Sequence, residues 1–121
     1  MKIAVCDDNN DYINIFEKYI EDLKDKKLDY DIYYSGEELL RAYEYDDPGY
    51  DAIFLDMEMG KLGGIETANR IRIKDKHIII VFVTSHKKYM QSSFQCMPFR
   101  FLIKPISYTD FQTVYKEVCT K

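Results

Sequence analysis

The chain reads as short apolar runs separated by segments in which apolar residues recur every three or four positions. Lys2–Cys6, Ala52–Leu55, Ile78–Val83 and Phe101–Ile103 are compact aliphatic and aromatic runs, as expected of parallel strands covered on both faces. Leu28–Tyr34 alternates less cleanly, and its Asp29 and Asp31 suit a strand near a sheet edge. Ile13, Phe16, Ile20 and Leu23 mark one face of a helix over Tyr12–Lys26, after capping choices in Asp8-Asn9-Asn10-Asp11. Ser35 followed by Glu38 resembles a capping box for a helix to about Tyr45, which Asp46-Asp47-Pro48-Gly49 stops. Ile65–Arg72 and Tyr108–Val118 supply two more helices, and His86–Phe94 a weaker, more polar one.

Five strands alternating with five helices predict an open, doubly wound α/β sheet, whose ligands gather beyond the carboxyl ends of the strands. With 121 residues, 46% of them hydrophobic, and no repeat or linker, the expectation is a single domain over residues 1–121. The 17 Lys and Arg against 21 Asp and Glu leave a formal charge of -4, which offers no general attraction to nucleic acid or anionic lipid. Cys6, Cys96 and Cys119 have no metal-ligand spacing and suit a reducing compartment. The start lacks the pattern of a signal sequence and no apolar stretch is long enough to span a bilayer, so a cytoplasmic location without membrane contact is expected.

The strand ends carry the chemistry. Asp7-Asp8 follows the first strand, Asp56 the third, Thr84-Ser85 the fourth and Lys104-Pro105 the fifth. In a parallel sheet Asp7, Asp8, Asp56, Thr84 and Lys104 share one edge, and three carboxylates there require a cation. Together with backbone carbonyls they can hold Mg²⁺ and leave room for water and a phosphoryl oxygen. Asp56, at the centre, is the natural nucleophile toward phosphorus, with Lys104 as a point charge and Thr84 as a hydroxyl donor. Gly60, Gly63 and Gly64 give the loop after Asp56 room to turn. Plainer roles stand beside these: Asp8 and Thr84 as helix caps, Lys104 as neutraliser of an acidic edge, and Phe101 as core. His77 and His86 read as surface or capping residues. Tyr89, Tyr108 and Tyr115 read equally as core edge or as partner surface.

Asp7-Asp8, Asp56 in Leu-Asp-Met-Glu-Met, Gly63-Gly64-Ile65-Glu66, Thr84 and Lys104-Pro105 together resemble the receiver domain of bacterial two-component response regulators, over essentially the whole chain. The resemblance implies a flavodoxin-like (βα)5 sheet of strand order 2-1-3-4-5 that takes a phosphoryl group from a sensor histidine kinase in a Mg²⁺-dependent transfer. By it, Asp56 is the phosphoacceptor, Asp7 and Asp8 are metal-side carboxylates, and the Glu58 backbone carbonyl is a further Mg²⁺ ligand. It makes Thr84 and Lys104 the phosphate-sensing pair, Phe101 the aromatic switch and Lys104-Pro105 a cis peptide. Phe94, Pro98-Phe99 and Phe101–Pro105 are similar to receivers that precede a LytTR-type DNA-binding domain, absent from this chain. That likeness implies control of transcription, with DNA contacted only through the output domain, and pairing through the fourth helix, fifth strand and last helix. Gly60 stands where the family usually has proline, which predicts a looser loop.

Three other readings compete. A small Mg²⁺-dependent phosphatase with an aspartyl nucleophile partly matches Asp-x-Glu at Asp56 and Glu58, but the chain lacks length for a cap. A flavin carrier of the same fold would want donors where Asp7-Asp8 stand. A phosphorylation-independent interaction module would keep the surface without the switch.

Overall fold

The computed structural model describes residues 1–121. Its regular elements are β1 (Lys2–Cys6), α1 (Asn10–Leu23), β2 (Asp29–Tyr33), α2 (Gly36–Ala42), β3 (Ala52–Asp56), α3 (Gly64–Lys74), β4 (Ile79–Thr84), β5 (Arg100–Ile103) and α4 (Tyr108–Cys119). All strand pairs are parallel, in the order β2-β1-β3-β4-β5. This is the doubly wound sheet that the alternating pattern predicts, in the flavodoxin-like order that the resemblance implies.

Successive strand residues point to opposite faces, and the apolar runs therefore feed two cores. Ala4, Ile53, Leu55, Ile80 and Phe82 pack with Leu39 and Tyr43 of the α2 region and Ala68 and Ile71 of α3. Ile3, Val5, Phe54, Val81 and Val83 pack with Ile13, Phe16 and Ile20 of α1 and with Phe111, Val114 and Val118 of α4. Phe111 is the hub of the second core, its ring 5.9 Å from Phe16 and 5.6 Å from Phe54. Tyr115 is buried with its ring stacked on Phe111 at 6.4 Å, which makes it core, while Tyr89 stays partly exposed.

Two local differences from the sequence reading have physical causes. The helix expected over residues 86–94 is replaced by two 3-10 turns, Lys87–Tyr89 and Gln91–Cys96. Within these turns only Ser93 and Cys96 are buried and Phe94 is largely exposed, so an α-helix here would have no apolar stripe to bury. Arg72 of α3 instead satisfies the local carbonyls, giving Nε to Cys96 O at 2.7 Å, Nη1 to Ile78 O at 2.6 Å and Nη2 to Met97 O at 3.0 Å. The first helix stops at Leu23, short of the expected Lys26, because Lys24 turns left-handed with φ 53° and Asp25 accepts from the Tyr115 hydroxyl and the Lys27 amide. At its other end the cap is Asn9, whose Oδ1 accepts from Asp11 N at 2.8 Å. Asp8 is thereby relieved of capping.

Candidate functional site

Cys6 lies opposite Leu55 in the β1–β3 register, so the next residues, Asp7 and Asp56, emerge side by side at the carboxyl edge. Both are almost wholly buried, whereas Asp8 is exposed. One oxygen from each of Asp7, Asp8 and Asp56 lies within 4.8 Å of the others. Lys104 enters from the end of β5, with Nζ 3.0 Å from Asp7 Oδ2 and 3.4 Å from Asp56 Oδ1. The Tyr12 ring covers the same ammonium, its centroid 4.0 Å from Nζ. The Lys104 amide donates to Thr84 O at 2.8 Å, and the Lys104-Pro105 peptide is cis.

These charges act on one another. Burial first, then the neighbouring Asp7, pushes the Asp56 carboxyl up to about 6, against the lowering effect of Lys104 and the Glu58 amide. Burial would lower Lys104, but Asp56 and Asp7 outweigh it and hold the ammonium charged above its ordinary value. One cation therefore serves two buried anions, a deficit of one positive charge before Asp8 is counted. Asp7 Oδ2 has no well-directed hydrogen bond although it is fully buried, and it meets Lys104 only as an ion pair. Three converging carboxylates with such an under-satisfied oxygen, and no nitrogen or sulfur donor among them, fit a hard dication such as Mg²⁺. Cys6 Sγ turns away, donating to Ser35 O and meeting Met59 Sδ.

The loop after Asp56 is tied to the acidic cluster. Gly60, where the resemblance leads one to expect proline, donates its amide to Asp8 Oδ2 at 3.1 Å, a bond that proline has no N–H to make. Gly64 is required by close approach, since a Cβ there would lie 2.2 Å from Asp56 O and 2.8 Å from Met57 Cα. The first turn of α3 therefore seats directly on the end of β3.

Thr84 is fully buried at the end of β4. Its hydroxyl donates to Glu58 Oε1 at 2.6 Å and accepts from the His86 amide at 3.0 Å. The same carboxylate accepts from Ser85 N at 3.2 Å and meets His86 Nδ1 at 3.1 Å. Burial pushes the Glu58 carboxyl up, but these hydrogen bonds outweigh it and hold the group below the usual range. The Glu58 carboxylate is thus outside the converging trio, unlike the second acid of an Asp-x-Asp phosphatase site. Phe101 is half-buried, stacked on Phe82 at 6.1 Å and edge-on to Phe94 at 6.1 Å.

Every acidic, hydroxyl and lysine residue singled out at the strand ends is at this edge. Sequence reasoning missed two groups, the side chain of Glu58 and the ring of Tyr12. Spacing offers no signal for the first, because the residue two positions after Asp56 is free to point either way. Tyr12, four residues after Asp8 in the first turn of α1, is placed over the edge only once the helix has formed.

A family model described as a response regulator receiver domain matches residues 3–116. The Sensory transduction protein LytT of Oceanobacillus iheyensis is 35% identical over 86 residues, covering 69% of this chain and 34% of that protein. The chain therefore spans about a third of the length of that curated relative. Among solved structures, the response regulator TrrA of Thermotoga maritima in complex with Mg²⁺ and beryllofluoride superposes with a TM-score of 0.83 at 23% identity, covering 97% of each chain. The receiver domain of a Pseudomonas aeruginosa sensor histidine kinase, with magnesium coordinated in its active-site cleft, gives 0.84 at 19% identity, covering 99% of this chain and 98% of that one. At these identities the structures establish the shared fold. No helix is long and apolar enough to cross a membrane.

Proposed function

This chain belongs to the response regulator receiver domain family, a family of signalling modules rather than conventional turnover enzymes, and from that premise we propose that Asp56 is its phosphoacceptor. The observation that carries the reading is the lysine shared by two buried aspartates, with a third carboxylate in reach. Mg²⁺, held by Asp7, Asp8, Asp56 and the Glu58 backbone carbonyl, would supply positive charge to the oxygens of the transferring phosphoryl group.

An Asp56 oxygen forms the new bond to phosphorus while the bond from phosphorus to the donor breaks, its electron pair leaving with the donor group. Attack needs the carboxylate ionised, and Lys104 favours that form. Lys104 then faces the phosphoryl oxygens as a point charge, and the Thr84 hydroxyl, once released from Glu58, donates to one of them. Tyr12 keeps water from one side of Lys104. The donor is a phosphohistidine on a sensor histidine kinase.

The new anion draws Thr84 toward Asp56 and shifts an existing equilibrium in residues 87–96, β5 and α4, with Phe101 as the aromatic that follows Thr84. That surface carries the exposed Phe94 and Met97 and is the place for homodimer pairing. The similarity to LytT supports a LytTR-type regulator in which an output domain outside this chain contacts DNA and controls transcription in the cytoplasm. Intact-mass spectrometry after incubation with acetyl phosphate tests the reading. One phosphoryl adduct is expected with Mg²⁺, none in a chelator, and none on Asp56→Ala shown to be folded by circular dichroism. An adduct that persists on Asp56→Ala would overturn it.

A further inference from the structure

The Glu58 side chain joins the two donors beside Asp56 to the same residue that follows Asp56 by two positions. The Thr84 hydroxyl has one proton, and Glu58 Oε1 at 2.6 Å takes it ahead of the competing His86 carbonyl at 3.2 Å. Its oxygen is also occupied, as acceptor for the His86 amide. The neighbouring Ser85 amide is spent on the same carboxylate, 3.2 Å from Oε1 and 3.3 Å from Oε2. In this arrangement neither donor is available to a group on Asp56. Meanwhile the Glu58 amide donates to Asp56 Oδ1 at 3.3 Å, so backbone and carboxylate of one residue bridge the acceptor and the strand-end donors.

We infer that Glu58 is a positioning residue that acts through Thr84: its carboxylate latches the Thr84 hydroxyl and Ser85 amide in the unmodified protein, and a phosphoryl group on Asp56 expels it. This deepens the phosphoacceptor reading and rests on it. The physical basis is like-charge repulsion in competition for one proton. A phosphoryl group brings about two negative charges and three acceptor oxygens to Asp56, two residues from the carboxylate that holds the donor. The carboxylate gains solvation when it swings out, since it is already 25% exposed at the side chain. His86 and Lys87, at the start of the 3-10 turns, follow the release, because His86 Nδ1 loses its contact at the same moment. The 3-10 turns are thereby tied to the state of Asp56 through a single side chain.

The test is a double-mutant cycle on the full chain with Mg²⁺ and beryllofluoride as the probe, a phosphoryl analogue that binds without a phosphodonor. Binding is measured for the native protein, Glu58→Ala, Thr84→Val and the double variant. Removing Glu58 strengthens binding by deleting a nearby negative charge, by freeing the Ser85 amide and by freeing Thr84. Only the last depends on Thr84. The gain from Glu58→Ala is expected to be about ten-fold larger in the Thr84 background than in the Thr84→Val background, the worth of one hydrogen bond to a charged acceptor. Glu58→Gln, which keeps an acceptor without the charge, falls between. Equal gains in both backgrounds would overturn the latch while leaving Asp56 as acceptor. Failure of the native protein to bind the probe with Mg²⁺, or to gain mass from acetyl phosphate, would instead overturn the phosphoacceptor reading and the latch with it.

Discussion

Lys104→Met should expose how much of the site is an electrostatic compromise. The ammonium lies 3.0 Å from Asp7 and 3.4 Å from Asp56, and its side chain is only 7% exposed. At an effective dielectric of about 20, each contact is worth roughly 5 kcal/mol of gross attraction, which the desolvation of the ions offsets in large part. Removing the cation from a buried pair usually costs about 3 kcal/mol or more, because the partner charge is left behind. Here two partners are left, but Asp56, already near 6, relieves part of the strain by taking a proton. The expected loss in chelator is therefore about 3 kcal/mol, a fall in melting temperature of about 10 °C for a chain of this size. Urea unfolding followed by circular dichroism measures it. Mg²⁺ should shrink the deficit by restoring positive charge, and the same substitution in an Asp56→Asn background should cost less than half as much. A loss below about 1 kcal/mol in chelator, or an equal loss in both backgrounds, would refute the shared-cation account.

Other substitutions probe the scaffold. Gly64→Ala should destabilise by about 1–3 kcal/mol and slow phosphoryl uptake, because its Cβ meets the Asp56 backbone, whereas Gly63→Ala, with nothing nearer than 3.7 Å, should be tolerated; urea unfolding compares the two. Phe111→Ala should cost about 3–5 kcal/mol by the same measurement, since the ring is fully buried among Phe16, Phe54 and Tyr115. Arg72→Ala should speed amide exchange over residues 87–97, where it holds the Cys96 and Met97 carbonyls, while phosphoryl uptake persists. Burial, helped by hydrogen bonds to Asp31 and Tyr33 for Tyr50 and to Asp25 for Tyr115, raises these two phenols above their ordinary value. The unfolded chain then loses its phenolic protons first. Their contribution is complete below about pH 10 and falls as pH rises further, and Tyr50→Phe should flatten that decline in urea unfolding.

The parts legible in the sequence are those where burial dictates composition. Ile53-Phe54-Leu55 and Ile78–Val83 are covered on both faces, so their lack of polar residues is itself the strand signal. The carboxylates at strand ends were legible for the complementary reason, that a charge directly after such a run must sit at the sheet edge. The 86–94 segment was not, because it lacks an apolar stripe to bury and the chain just after it is held at the Cys96 and Met97 carbonyls by Arg72, a residue of another element whose role no local pattern reveals. The early end of α1 was hidden likewise: Lys24 adopts a left-handed conformation without glycine, supported by the distant Tyr115 through Asp25. Within the site, residue types announced the cluster, whereas the direction of Glu58 depended on the positions of Thr84, Ser85 and His86, which only the folded sheet brings beside it.

The central claim is that the Asp56 carboxylate itself carries the phosphoryl group. Borohydride reduces an acyl phosphate to an alcohol, which converts a phosphorylated aspartate to homoserine. The protein should be treated with acetyl phosphate and Mg²⁺, reduced, digested and sequenced by tandem mass spectrometry. The account predicts homoserine at position 56 and unaltered aspartate at positions 7 and 8. Homoserine at position 7 or 8 in place of 56, or a phosphoryl adduct that borohydride leaves untouched, would contradict it.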